Sequence, residues 1–180
     1  SFGTASGHTV HQGYGLTECS PVISTALGSF EPGTEPGLAS VGRALPGVEL
    51  QLRDGLGNRV TSGDPAQIFV RGANLFSGYW PDGADGPDAD GWYGTGDLGI
   101  VDPHGNLTLV DRLKETVIVS GFNVYPSEVE EVLTGAPGVA QVAVIGQPDA
   151  QTGEAVVAFV VPEDPETADS EALEAAVREF

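Results

Sequence analysis

In the first 111 residues the apolar side chains fall in short alternating runs broken by glycine, proline and aspartate. Residues 47–54, GVELQLRD, alternate Val48, Leu50 and Leu52 with polar positions, and residues 66–72, AQIFVRG, follow across the turn-rich GLGNRVTSGDP. A period of two is that of a strand with one buried face, so the pattern predicts antiparallel strands. Residues 97–112, DLGIVDPHGNLTLVDR, place two alternating runs around Asp102, Pro103, His104, Gly105 and Asn106, which is hairpin chemistry. Past Lys114 the period changes. Residues 126–133, PSEVEEVL, carry Val129, Val132 and Leu133 along one helical stripe, with Ser127 and Glu130 at capping-box spacing, and predict a short helix. Two apolar runs, 139–145 and 154–161, flank the polar turn GQPDAQTG, after which Leu173, Ala176, Val177 and Phe180 mark a second helix. The fold class expected is mixed α/β (α+β): a strand-rich part over 1–112, then a helix, two strands and a helix over 113–180.

Charge narrows the partners. Seven Lys plus Arg against twenty-six Asp plus Glu give a net charge of −19, a field that repels phosphate backbones and anionic lipid surfaces. Nucleic acid is therefore not expected, whereas an anionic small molecule is compatible if a metal ion and a few placed cations offset the field locally. Residues 81–91, PDGADGPDADG, read as an acidic surface loop. The single cysteine cannot form an internal disulfide, and His8, His11 and His104 show no ligand spacing with it, which fits a reducing cytoplasm. The longest apolar run, 155–161, is far short of the ~20 residues of a membrane helix. With no methionine, a start at Ser1 and a stop at Phe180 inside an amphipathic pattern, the chain reads as a segment of a longer polypeptide.

Three stretches carry chemistry. In GYGLTE, Gly13 and Gly15 let the backbone approach something flat, and Tyr14 offers a ring face for stacking. Thr17 can hold a phosphate oxygen, and Glu18 is a carboxylate of the kind that holds Mg2+ together with substrate phosphates. The alternative is a glycine turn with a packed tyrosine and an exposed glutamate. In GWYGTGDLG, Asp97 follows Gly96 immediately before an expected strand, where a carboxylate can accept both hydroxyls of a ribose or can cap its own turn. Arg112 and Lys114 stand at the break between the two parts, either as a donor fork for sugar or phosphate beside a hinge, or as solvated cations. Together the three stretches suit a nucleotide with Mg2+, although no glycine-rich loop with lysine is present to cradle its phosphates.

In this order and at these separations, QGYGLTE, GYW, TGDLG, DRLKETVIVSGFNVYPSEVEEVL and GEAVVAFVVP resemble the adenylate-forming (AMP-binding) superfamily of acyl-CoA synthetases, luciferases and peptide-synthetase adenylation domains. GFNVYPSEVEEVL and YGLTECSPV are similar to the fatty-acid–CoA ligase branch. The resemblance implies that residues 1–112 are the end of the large AMP-binding domain. Residues 113–180 would then be the hinge and the truncated start of the small C-terminal domain. It implies an ATP-dependent, cytoplasmic ligase of fatty acid metabolism that forms acyl-AMP and passes the acyl group to CoA. Gly13, Tyr14, Gly15, Thr17, Asp97 and Arg112 would bind ATP or AMP, Tyr14 against adenine and Asp97 on the ribose. Glu18 would hold Mg2+, Lys114 would be the hinge, and Ser120, Gly121 and Phe122 would form the loop brought in for thiolation; a tight turn is the other reading of Gly121. Asp111 replaces a common glycine, Gly94 a frequent arginine, and Ala66-Gln67 a usual Gly-Glu.

The triphosphate loop and the distal adenylating lysine of such enzymes are not in these 180 residues, so the segment alone is expected to be inactive. ATP-dependent pyrophosphate release by it would contradict that. Two other readings stay open: an acyl-AMP ligase that loads a carrier protein, and a non-catalytic nucleotide-binding derivative of the fold.

Overall fold

The computed structural model describes residues 7–164, apart from 9, 29–32, 34, 38 and 62, together with residue 174. The chain divides into two compact units, Ser1–Leu109 and Val110–Phe180.

The first unit is built on antiparallel strands. They are β1 (Gly13–Tyr14), β2 (Ser24–Thr25), β3 (Ser40–Ala44), β4 (Val48–Arg53), β5 (Arg59–Val60), β6 (Ala66–Gly72), β7 (Tyr93–Val101) and β8 (Leu107–Arg112), in the sheet order β1-β2-β3-β8-β7-β6-β4-β5. The expected pair forms in full register from Val48↔Gly72 to Arg53↔Gln67. Alternation then decides what is buried: Leu52, Ala66, Ile68 and Val70 join Tyr14, Cys19, Ile23, Val41 and Leu107 in one apolar cluster. The expected hairpin is β7–β8, and the chain's division falls within β8.

Two hairpins use the same five-residue connection. In DGLGN, Asp54 Oδ1 accepts from the amides of Leu56 and Asn58, and the Asn58 side-chain amide donates to Oδ2. In DPHGN, Asp102 does the same with His104 and Asn106. The fourth residue, Gly57 or Gly105, takes a left-handed φ of 82° or 85°. Aspartate satisfies the turn amides and glycine supplies the dihedral, so both connections are readable residue by residue. The two-residue strands β1, β2 and β5 lie below the length at which alternation can be recognised.

The second unit holds β9 (Val117–Val119), β10 (Phe122–Val124), α1 (Pro126–Thr134), β11 (Val139–Asp149) and β12 (Gly153–Pro162), with sheet order β10-β9-β12-β11. The helix lies where the stripe predicts it, but its capping box does not form. Tyr125 is the N-cap and Pro126 takes the first turn, so Ser127 already lies inside the helix. Ser127 instead reaches back to Val110 and Asp111, and Glu130 Oε1 accepts from the Val144 amide at 2.8 Å. The turn expected over 146–153 is shorter than its composition suggests. β11 continues to Asp149, whose Oδ1 accepts the amides of Gln151 and Thr152 as the chain reverses toward Gly153. The helix expected through Leu173, Ala176, Val177 and Phe180 lies outside the described residues.

β9 and β10 are three residues each and pair Val119↔Phe122, which leaves Ser120-Gly121 as a two-residue loop. Both residues have positive φ, 51° and 87°, as a type I′ turn requires. A side chain on Gly121 meets nothing within 4 Å, so only the backbone conformation demands glycine there. Gly121→Ala is therefore expected to cost about 1–2 kcal/mol in denaturant unfolding; an unchanged midpoint would contradict the turn.

Candidate functional site

The GYGLTE segment is held by packing against its own chain. Tyr14 pairs with Ser24, and Gly15 turns toward the returning strand: a Cβ on Gly15 lies 1.8 Å from the Pro21 carbonyl oxygen, and one on Gly13 lies 3.3 Å from Ser24 O. Neither glycine takes a left-handed φ. The close approach expected of them is thus made to the hairpin's own backbone. The Tyr14 ring, 8% exposed, belongs to the core cluster, so most of its surface is spent on packing rather than on an open stacking platform. Its hydroxyl donates to Asp97 Oδ2 at 2.6 Å, across 83 residues of sequence.

Asp97 does not precede a strand; it lies inside β7. The register between β6 and β7 passes from Gln67↔Leu98 to Phe69↔Gly94, so Thr95, Gly96 and Asp97 stand opposite Ile68 alone. In this bulge Gly96 takes φ 79°, the Thr95 hydroxyl donates to Ile68 O at 3.1 Å, and the Asp97 amide donates to Thr95 Oγ1 at 3.2 Å. The extra residues re-aim the Asp97 carboxylate toward Tyr14. Burial, and then the hydrogen bond to Asp97, push the Tyr14 phenol far above its ordinary value, so it stays a donor.

Thr17 and Glu18 occupy a single 3-10 turn, Thr17–Cys19, with Thr17 exposed and Glu18 half-buried. The Tyr79 hydroxyl donates to Glu18 Oε1. That bond holds the Glu18 carboxyl below the usual carboxylate range and pushes the Tyr79 phenol up to about 12. The turn is tied down further by the Phe76 amide on Glu18 O at 2.9 Å and the Asn74 side-chain amide on Cys19 O at 2.7 Å. Phe76 packs edge-on against Tyr79 and Tyr93, with ring centroids 5.1 and 5.3 Å away. Tyr79, Asn74 and Thr95 were not singled out from sequence. GYW and TGD carried two of them, but a polar side chain 61 residues from Glu18 gives no local sign of its partner.

Cys19 is fully buried in the core cluster, and burial, with the nearby Glu18 charge, pushes its thiol up to about 11. Such a thiol is inert. The native protein is expected to resist a thiol reagent such as dithionitrobenzoate until it is unfolded; rapid stoichiometric modification under native conditions would contradict this.

Arg112, Lys114 and Ser120–Phe122 fall in the second unit. Arg112 ends β8, and its amide donates to Asp111 Oδ1 at 2.7 Å. Lys114 is exposed in the middle of the 3-10 turn Leu113–Glu115. Ser120 and Gly121 form the exposed β9–β10 tip, followed by an exposed Phe122. Among the described residues no group of three or more metal-ligating side chains gathers, and no helix is long and apolar enough to cross a membrane.

Known proteins share both sequence and fold with this chain. The profile of the AMP-binding enzyme family matches residues 2–80, and that of the AMP-binding enzyme C-terminal domain matches residues 128–180. A long-chain-fatty-acid–CoA ligase of Escherichia coli O157:H7 is 43% identical over 161 residues, which are 88% of this chain and 28% of that protein. A 4-coumarate-CoA ligase of Narcissus pseudonarcissus is 39% identical over 173 residues, 94% of this chain and 30% of that protein. The crystal structure of ATP-bound MatB from Rhodopseudomonas palustris superposes with a TM-score of 0.82 at 36% identity, covering 99% of this chain and 35% of that one. The chain thus spans less than a third of the curated relatives it matches, 28% and 30% of their lengths.

Proposed function

This chain belongs to the AMP-binding enzyme family, and we propose that it is the segment of an ATP-dependent acyl-CoA ligase in which the large domain ends and the small C-terminal domain begins. The observation that carries the reading is the Tyr14–Asp97 hydrogen bond. It joins the GYGLTE and TGD motifs through residues that lie 83 apart in the sequence.

In the proposed reaction a carboxylate oxygen of the acid attacks the α-phosphorus of ATP, and pyrophosphate leaves as acyl-AMP forms. The thiol of CoA then attacks the acyl carbonyl, and AMP leaves. Positioning and charge neutralisation supply most of the acceleration in such transfers. Asp97, oriented by Tyr14, accepts the ribose hydroxyls, with Arg112 assisting. Gly13, Tyr14 and Gly15 form the wall beside the base, Tyr14 through the part of its ring left uncovered. Thr17 donates its hydroxyl to a phosphate oxygen.

Glu18 fits Mg2+ as a single oxygen donor on a tied-down turn, and the ion when bound neutralises phosphate charge. Tyr79 keeps that carboxylate ionised and oriented. Lys114 is the proposed pivot of the small domain, and Ser120, Gly121 and Phe122 the loop that admits the thiol arm. The substrate proposed is a fatty or similarly hydrophobic acid, and the compartment the cytoplasm. The fatty-acid–CoA ligases among the relatives support the acid, and the single buried cysteine suits a reducing compartment. CoA is preferred to a carrier protein as acceptor because the fatty-acid and coumarate relatives are CoA ligases.

The test is thioester formation by the full-length protein carrying this segment, across a panel of carboxylic acids, with CoA and with a pantetheinylated carrier protein as acceptors. Acyl-CoA with concomitant AMP is expected. Carrier loading alone would move the reading to an acyl-AMP ligase, and no product with any acid would overturn it.

A further inference from the structure

Val110 and Asp111 precede Lys114 in the chain, yet both are bonded to the helix that follows it. Ser127 Oγ lies 2.7 Å from Val110 O and 3.0 Å from Asp111 Oδ2, so its one proton is shared between them, and the Ser127 amide donates to the same Oδ2 at 3.1 Å. Pro126 has no N–H, so the Ser127 amide is the first that α1 presents, and Asp111 caps it from outside the helix. The other Asp111 oxygen accepts the Arg112 amide at 2.7 Å.

We propose that Asp111 and Ser127 form a clasp across the pivot that determines whether Arg112 travels with the small domain. This rests on the reading of Lys114 as that pivot. A rotation confined to the Lys114 backbone carries Ser127 away from Val110 and Asp111 and breaks every one of these bonds. A rotation on the N-terminal side of Val110 leaves them whole. With the clasp closed, residues 110–112 move with the small domain; with it open, Arg112 stays with the large one and its nucleotide site. The clasp thereby biases the exchange between acid activation and thiol transfer, and Asp111 is a positioning residue for Arg112. A polar bridge that exists in only one of two domain arrangements shifts their populations by its own free energy.

The experiment compares wild type, Ser127→Ala, Asp111→Ala, the double variant and Asp111→Asn in the full-length protein. Acyl-AMP formation and thiol transfer from preformed acyl-AMP are measured separately. Ser127→Ala and Asp111→Ala are expected to change the ratio of the two rates by roughly threefold to tenfold in the same direction. The double variant should exceed either single, because the Ser127 amide bond survives Ser127→Ala and the Val110 bond survives Asp111→Ala, yet fall short of their sum, because both singles remove the same Oγ–Oδ2 bond. Asp111→Asn keeps an acceptor for Ser127 and should restore the ratio to within about twofold.

Equal loss in both half-reactions, opposite directions, or additive singles would overturn the clasp. If Asp111→Ala does not fold, Ser127→Ala, which removes only a hydroxyl, carries the test. If wild type forms no acyl-AMP, the ligase reading falls and the clasp is judged by hydrogen exchange. The amides of residues 110–128 should then exchange faster in Ser127→Ala than in wild type, and equal rates would dismiss it.

Discussion

Replacing Asp97 by alanine in the full-length protein is expected, on the proposed function, to lower acyl-AMP formation by roughly 10²–10³-fold while the protein stays folded. Two losses combine. The ribose hydroxyls lose a charged acceptor, and the Tyr14 hydroxyl, donated to Asp97 at 2.6 Å from a tyrosine that is 8% exposed, loses its partner. A hydrogen bond to a charged group contributes about 1.5–3 kcal/mol, and an unpaired buried donor costs about 1–3 kcal/mol. Tyr14→Phe removes the donor but leaves the carboxylate, so its effect should be smaller, about tenfold in KM for ATP. The Asp97 substitution is checked by single-turnover formation of acyl-AMP and by nucleotide affinity. A fall of less than tenfold in a folded protein would show that the TGD aspartate only shapes the β7 bulge and orients Tyr14.

Gly15→Ala is expected to be the most disruptive small substitution in the GYGLTE segment. Its new methyl lies 1.8 Å from the Pro21 carbonyl oxygen, 2.7 Å from the Pro21 carbonyl carbon and 2.8 Å from Val22 Cα, all backbone atoms that no rotamer change can clear. The β1–β2 connection must open, and with it the turn that carries Thr17 and Glu18. A loss of at least about 3 kcal/mol in denaturant unfolding is expected, the range of overpacked core sites. Gly13→Ala meets only Ser24 O at 3.3 Å and should cost under about 1 kcal/mol. Equal midpoints for the two variants would contradict the close approach at Gly15.

Legibility in the sequence followed the range over which each signal acts. β4, β6, the β7–β8 hairpin and α1 were readable because alternation, turn chemistry and a helical stripe act over a few residues. β9–β10 escaped because three-residue strands carry no period, and only Ser120-Gly121 hinted at the turn. Ser127 and Glu130 have capping-box spacing, but Asp111 from a preceding strand and the Val144 amide from a following one captured them. The same limit governed the site. Tyr14, Asp97 and Glu18 were legible as motif residues, whereas the bonds that orient them, Tyr14 to Asp97 and Tyr79 to Glu18, are tertiary. Gly15 was read as an approach to a ligand, and its neighbour is the chain itself.

The most direct test of adenylation is acid-dependent exchange of labelled pyrophosphate into ATP by the full-length protein. Exchange that requires a hydrophobic carboxylic acid, proceeds without CoA and collapses in the Asp97→Ala variant is the predicted result. A folded protein that shows no acid-dependent exchange, or exchange indifferent to Asp97, would contradict the account.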